Sequence, residues 1–158
     1  MVQIITSIQS KDVQSVADTF PILDYATVNQ LYIDFLQEKR LTLVAIDQSE
    51  TPDDTDNLIS TPPPTYLACV SFLWKADYDP FWRRNIPQID TFVVQNDDTA
   101  LAIDLLIQCE QASKKRGCHA LGVSMPADET FISDLLIEQG YTAKGSGMQP
   151  EAGILRMI

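Results

Sequence analysis

The segment IPQIDTFVVQNDDTALAIDLLIQCEQASKKR, residues 86–116, decides how the rest of the chain is read. It opens as an extended apolar run, Ile89 to Val94, rich in the β-branched and aromatic residues that suit a buried strand. It turns through Gln95-Asn96-Asp97-Asp98-Thr99 and continues with Leu101, Leu105, Leu106 and Cys109 at helical spacing. Lys114, Lys115 and Arg116 suit the negative end of that helix, and Gly117 is its stop. A strand feeding a helix through a short turn offers unpaired N–H groups and a positive dipole end, which is where α/β proteins hold phosphates. The side chains of this turn work against that use. Asn96, Asp97, Asp98 and Thr99 are all N-cap residues, whose oxygens accept from the helix's own N–H groups. A carboxylate also repels a phosphate: at ~6 Å and an effective dielectric of about 20, each like-charge pair costs roughly 2–3 kcal/mol before salt screening. From the residues alone, the turn is either an ordinary capped helix start or a divergent phosphate loop.

Upstream, Val2 to Ile8 reads as a strand, followed by a helix through Val13, Val16 and Ala17 that Ser10 or Asp12 caps. Tyr25 to Lys39 is a second helix with Val28, Leu31, Tyr32, Phe35 and Leu36 on one face, and Lys39 and Arg40 suit its C-terminal end. Leu41 to Ile46 and Tyr66 to Trp74 are strands. Between them, Asp47 to Pro64 is an acidic, proline-ended insert that reads as a long loop or a lid. Lys75 to Asn85 is an irregular link. Downstream come a short strand, Ala120 to Ser124, a helix, Asp128 to Gln139, stopped by Gly140, and a closing strand pair, Tyr141 to Lys144 with Ile154 to Ile158. The order β, α, α, β, β, β, α, β, α, β, β predicts a single α/β domain over residues 1–158, with a mixed sheet whose first half is antiparallel.

The chain has 158 residues, 45% of them hydrophobic, enough for one core. Its formal net charge of −11 argues against nucleic acid and against an anionic membrane surface, and either favours a cationic substrate or a basic partner or simply keeps the protein soluble. No apolar run approaches the ~20 residues of a membrane span, and Met1 to Ser10 does not read as a secretion signal. Cys69, Cys109 and Cys118 show no CxxC spacing and read as reduced thiols of a cytoplasmic protein.

In this order the stretches resemble the GNAT superfamily of acyl-CoA-dependent N-acyltransferases. IDTFVV is similar to its fourth strand, LLIQCEQASKKRG to the following helix, ALGVSM to the fifth strand, LLIEQGY to the helix end "LYxxxGF", and ILRMI to the last strand. The resemblance implies a mixed, largely antiparallel sheet of seven strands with helices on both faces. It also implies that the fourth and fifth strands are parallel and splay at their C-terminal ends. The implied reaction moves an acetyl or acyl group from acetyl-CoA to the amine of a small molecule or peptide. The implied coenzyme contacts are Phe92, Val93 and Val94 on the strand and Asp98, Thr99, Ala100, Leu101 and Ala102 at the turn. Asp90 stands where family members often place a carboxylate that acts as a base towards the amine. The family's loop reads "RGxGxG/A", but here Asp97 to Ala102 replace it without the arginine or the glycines. The family's tyrosine acid falls on Leu136, which has no proton to give; Tyr141 carries one, although a tyrosine at a strand start more often packs. These departures keep a second reading open, a non-catalytic protein of this fold that binds a ligand or partner.

Other candidates are weaker. Glu110 reads as a solvated helix charge, His119 as a packed or surface residue, and Cys109 as core, while Cys118 has no neighbouring base. Arg83 and Arg84 beside Phe81 and Trp82 suit an anion, the coenzyme's phosphates or a homodimer contact. No Walker-type loop or metal-ligand spacing is present, and the acids of Glu50 to Asp56 do not match a calcium loop.

Overall fold

A computed structural model describes residues 3–47, 65–74, 86–126, 130–144 and 151–157. The expected acidic insert, the aromatic–arginine link and the start of the last helix lie largely or wholly outside the described residues. The elements are β1 (Gln3–Ser7), α1 (Asp12–Thr19), α2 (Tyr25–Leu36), β2 (Arg40–Asp47), β3 (Thr65–Leu73), β4 (Gln88–Val94), α3 (Thr99–Lys115), β5 (Ala120–Pro126), α4 (Thr130–Glu138), β6 (Thr142–Lys144) and β7 (Glu151–Met157). The strands form one sheet in the order β1-β2-β3-β4-β5-β7-β6. Every pairing is antiparallel except β4 with β5, which run parallel and are joined by the α3 crossover.

Strand alternation sorts the core into two layers. Leu43, Ala45, Ala68, Val70, Phe72, Ile89 and Phe92 pack against α3 and α4. Val44, Tyr66 and Cys69 face the other way, against Val13 and Val16 of α1 and Val28 of α2. Helices therefore cover both faces.

Two bulges interrupt the alternation. In β3, Ala45 pairs with Ala68 and Ile46 with Tyr66, so Leu67 is the extra residue. The shift turns Tyr66 onto the α1 face, where its hydroxyl donates to the buried Asp12 carboxylate. In β4, Ser71 pairs with Thr91 and Phe72 with Ile89, so Asp90 is the extra residue. Ile89 and Phe92, three positions apart, consequently face the same core.

The helix ends follow local chemistry. Gly117 (φ +84°) and Gly140 (φ +95°) take the left-handed position after α3 and α4. At the end of α3, Gly117 N–H donates to Lys114 C=O and Cys118 N–H to Ser113 C=O. Two expectations need correction. Asp12 does not precede α1 as its cap; it is the first helical residue, buried, accepting from Gln9 N–H at 2.8 Å. The second helix ends at Leu36, because Glu38 adopts φ +61° and turns the chain. Arg40 is thus not a charge at a helix end but the first residue of β2, and it is 7% exposed.

Candidate functional site

The bulge at Asp90 sets up the site. Gln88 and Ile89 pair with Gly122 and Val123 of β5, and the parallel ladder stops there. From Asp90 to Val94, β4 stays paired only with β3, while Ser124 to Pro126 of β5 stay with β7. A bulge bends and twists its strand, so β4 parts from β5 where the extra residue enters. The two C-terminal ends are unpaired with one another, as the expected splay requires.

The bulge also directs Asp90 and Thr91 together into a cavity of about 480 Å³ between α2 and β4, which Asp24, Ala26, Thr27, Gln30, Leu31, Asp34 and Arg40 also line. At this end of the α1–α2 face the sheet turns polar. Thr42 pairs across β2–β3 with Ser71, and Ser71 across β3–β4 with Thr91. Arg40 lies on the same face of β2, one alternation from Thr42. Its Nη1 donates to Asp90 Oδ1 at 2.9 Å and to Ser71 Oγ at 2.7 Å, and its Nη2 donates to Asp90 Oδ2 at 3.1 Å. Ser71 Oγ also lies 2.8 Å from Thr42 Oγ1. The Asp90 side chain keeps 33% of its surface exposed. A carboxylate has about four acceptor positions, so Asp90 can still receive a donor from the cavity. Asp34 accepts from Gln30 Nε2 at 2.9 Å, and its other oxygen lies 3.6 Å from Arg40 Nε. Asp24 caps α2 by accepting Thr27 N–H at 2.8 Å, which holds its carboxyl below the usual range.

Among the described residues expected from the sequence, Asp90 alone lines this cavity. Phe92, Leu101 and Ala102 turn their side chains into the α3–α4 core and are at most 1% exposed. Val93 and Val94 are half-buried on opposite faces. Thr99 and Ala100 are exposed in the first turn of α3. Asp98 is the N-cap of α3, its Oδ1 accepting Leu101 N–H at 3.1 Å. The preceding turn keeps a left-handed backbone without glycine: Asn96 has φ +57° and Asp97 φ +49°. Asn and Asp are the non-glycine residues that tolerate this region best.

Tyr141 is not brought to Asp90. It is 3% exposed, belongs to the core on the opposite face of the sheet, and donates to Glu110 Oε2 at 2.8 Å. Glu110 lies eleven helical rises from Thr99, roughly 17 Å along α3. Leu136 is buried in the same core. Glu110 is thus no plain solvated charge.

The residues missed by sequence reasoning are Arg40, Asp34 and Asp24. The available signal was an arginine opening an apolar strand, together with acids at positions 24 and 34 on one stripe of α2. Among the described residues, no helix is long and apolar enough to cross a membrane, and no group of His, Cys, Asp or Glu is placed to hold a metal ion.

Comparison by structure defines the class. The N-acetyltransferase PaiA of Thermoplasma acidophilum, solved in complex with coenzyme A, superposes with TM-score 0.70 over 100% of both chains at 10% identity. The GNAT domain of S. lividans PAT gives 0.68 at 15% identity, covering 98% of this chain and 89% of that one. NAA60 of Arabidopsis thaliana, in complex with acetyl-CoA, gives 0.65 at 10% identity, covering 98% and 96%. The chain therefore has the fold of the GNAT acetyltransferases. By sequence, no family model and no curated protein matches it.

Proposed function

We propose that the chain is an acyl-CoA-dependent N-acetyltransferase that acts on an amine. The observation that carries this reading is the parting of β4 from β5 at Asp90, next to an acidic cavity. Structural neighbours solved with coenzyme A or acetyl-CoA support the coenzyme.

The fit to that coenzyme differs along its length. The β4 edge from Asp90 to Val94 carries no ladder pairing on its β5 side, and the half-buried Val93 and Val94 offer backbone to an amide-containing arm. At the turn, the Asp98 carboxylate takes Leu101 N–H and adds charge, leaving Thr99 and Ala100 as the backbone best placed for a phosphate. The bound coenzyme would supply an activated acyl thioester. The chain's part is to hold an amine beside it, where proximity accounts for most of the rate. Asp90, oriented by Arg40, accepts a hydrogen bond from the amine or from a water that removes its proton. Tyr141 has no part at that end of the cleft, because its hydroxyl is engaged by Glu110 on the other face.

The Asp98 cap and the buried Leu136 favour a second reading, a ligand-binding protein of this fold without catalysis. Calorimetric titration with acetyl-CoA, followed by mass spectrometry of an amine panel incubated with the protein and acetyl-CoA, separates the two. Binding with an acetylated amine supports the enzyme. A cleft that binds neither coenzyme nor acetyl group supports the second reading.

A further inference from the structure

The charges of the chain are sorted along the strand axis. β3 begins at Thr65, opposite Asp47, and ends at Leu73, opposite Arg40. The acidic insert between β2 and β3 therefore leaves from one end of the sheet, and Trp74 lies at the other. The Trp74 end is basic. Trp74 N–H donates to Lys39 C=O at 3.1 Å, and the Arg116 guanidinium lies 4.0 Å from the centre of the Trp74 ring. That contact brings the last turn of α3, with Lys114 and Lys115, to the turn between α2 and β2. Lys39, Lys114, Lys115 and Arg116 are exposed, and so is Lys11 just past β1 at the same end. The exposed acids there are Glu38 in the α2–β2 turn and Glu138 at the end of α4.

The other end is acidic. Residues 47–64 carry Asp47, Glu50, Asp53, Asp54 and Asp56 and no lysine or arginine. Asp18, Asp24 and Asp97 are exposed at that end, where Lys144 is the one cation among the described residues. Within one copy the insert and the basic end are too far apart to meet. Asp56 is nine residues from both Asp47 and Thr65, and nine residues reach at most roughly 30 Å when fully extended. The nine strand rises from Thr65 to Trp74 cover the same distance, roughly 30 Å. Helices cover both faces of the sheet, so no slack is left to pass over them.

We infer that the basic end around Trp74 and Arg116 docks the acidic insert, residues 47–64, of a second copy of the chain. Two copies side by side and antiparallel about a two-fold axis bring each insert to the other's basic end, so the same contact forms twice and the assembly closes. A single exposed ion pair is weak, but several cations facing several acids form a network. Arg116 is already held on the Trp74 ring and loses less freedom on binding. Salt gives the signature. Two copies of charge −11 repel, so association through apolar surface would strengthen as salt screens the repulsion, whereas association through opposed charges weakens. The docking uses neither the β4–β5 cleft nor Asp90, so it stands or falls apart from the acyltransfer reading.

Sedimentation velocity on the intact protein follows the monomer–dimer balance from about 0.01 M to about 0.1 M salt, over which the screening length falls from about 30 Å to about 10 Å. A dimer is expected at the low end, with a dissociation constant that rises at least tenfold across the range. Two variants test the two sides of the contact. Lys114→Glu with Lys115→Glu reverses charge at the basic end, and Asp53→Lys with Asp54→Lys reverses it in the insert. Each alone should dimerise at least tenfold more weakly than the unmodified chain, because like charges then meet at both contacts. Mixed, they should form a one-to-one dimer, because opposite charges again meet at both. Recovery in the mixture also shows that neither variant is weak through misfolding. Should circular dichroism show that the reversed helix end does not fold, Lys114→Gln with Lys115→Gln removes the two charges alone and should still weaken the dimer. A monomer at low salt, a dimer that strengthens with salt, species larger than a dimer, a folded variant that dimerises as tightly as the unmodified chain, or a mixture of folded variants no tighter than either alone each overturns the inference.

Discussion

Arg40 and Asp90, 50 residues apart in sequence, meet in a two-pronged ion pair of 2.9 and 3.1 Å that spans β3. The pair is fixed from both sides: Ser71 of β3 accepts from the same guanidinium, and the β4 bulge delivers Asp90 to it. One partner is almost fully buried and the other is one-third exposed. Removing the arginine therefore strands a carboxylate that water reaches only in part. Arg40→Met should cost about 2–4 kcal/mol, below the top of the range for buried pairs because Asp90 is partly hydrated. Urea unfolding measures it. Arg40→Lys, which cannot make the fork, should recover only part of the loss. A wild-type midpoint in Arg40→Met would show that the pair does not hold the strands together.

Asp90→Asn tests catalysis and stability at once. Turnover should fall at least tenfold. The fold should survive, though not at full stability, since Arg40 would lose its two-pronged charge-assisted bond to Asp90. Circular dichroism with a steady-state assay separates the effects. Unchanged turnover in a folded variant would remove Asp90 from the mechanism.

How much of this was legible in the sequence depends on distance along the chain. β4, α3 and the carboxylate cap of α3 were legible because each is written in contiguous residues: an apolar run, helical spacing, and Asp98 three residues before Leu101. The parallel pairing with β5 followed from a helical crossover. The Arg40–Asp90 pair was not legible. It requires the β2–β3–β4 register and a one-residue bulge, and no local pattern announces either. Lys39-Arg40 looked like a helix end because both residues suit one; the left-handed Glu38 moves Arg40 into the sheet instead. Tyr141 illustrates the converse. Its position in the sequence left a proton donor and a packing residue both open, and the structure sets its hydroxyl on Glu110.

Tyr141→Phe should consequently act on stability and not on chemistry. Loss of one part-buried hydrogen bond to a carboxylate predicts a decrease of about 1–2 kcal/mol. The pH dependence of turnover should be unchanged. A lost basic limb in the pH–rate profile, without a stability change, would restore Tyr141 as an acid.

Buried acids of high pKa set an alkaline limit on the fold. Burial pushes the Cys69 thiol up to about 12, and raises those of Cys109 and, with the Asp12 carboxylate beside it, the Tyr66 phenol further still. Below about pH 7.5 these groups are protonated in both states and contribute no pH dependence. Above it the unfolded chain releases its thiol protons first, so stability falls with rising pH, by up to about 1.4 kcal/mol per pH unit for each thiol. Tyr66 joins from about pH 10. Urea midpoints measured from pH 8 to 11 should decline, and Cys69→Ala should flatten the slope. Thiol-reactive reagents should label the partly exposed Cys118 in the native protein well before Cys69 or Cys109.

The turn before α3 separates the enzyme from a binding protein. Asp98 satisfies Leu101 N–H with its own carboxylate, so a phosphate arriving at this helix end meets one donor fewer and a charge of its own sign. Asp97 stands beside it in a left-handed conformation that Asp tolerates better than most side chains. In the double variant Asp97→Arg, Asp98→Gly, the carboxylate cap goes and a cation arrives. Removal of two like charges could return a few kcal/mol of coenzyme affinity, on the order of 100-fold in Kd. The lost cap costs little, since glycine is itself a tolerable N-cap, but an arginine held at the left-handed position 97 should lower unfolding stability by roughly 1–2 kcal/mol. Calorimetric titration of both proteins with acetyl-CoA, at low and at moderate salt, measures the gain, and its size should shrink as salt rises. Tight binding by the unmodified chain would show that phosphate contacts elsewhere outweigh the turn, and would strengthen the acetyltransferase reading. If neither protein binds, the parted strands serve another ligand, and the cavity of Asp24, Asp34, Arg40 and Asp90 becomes the place to look for it.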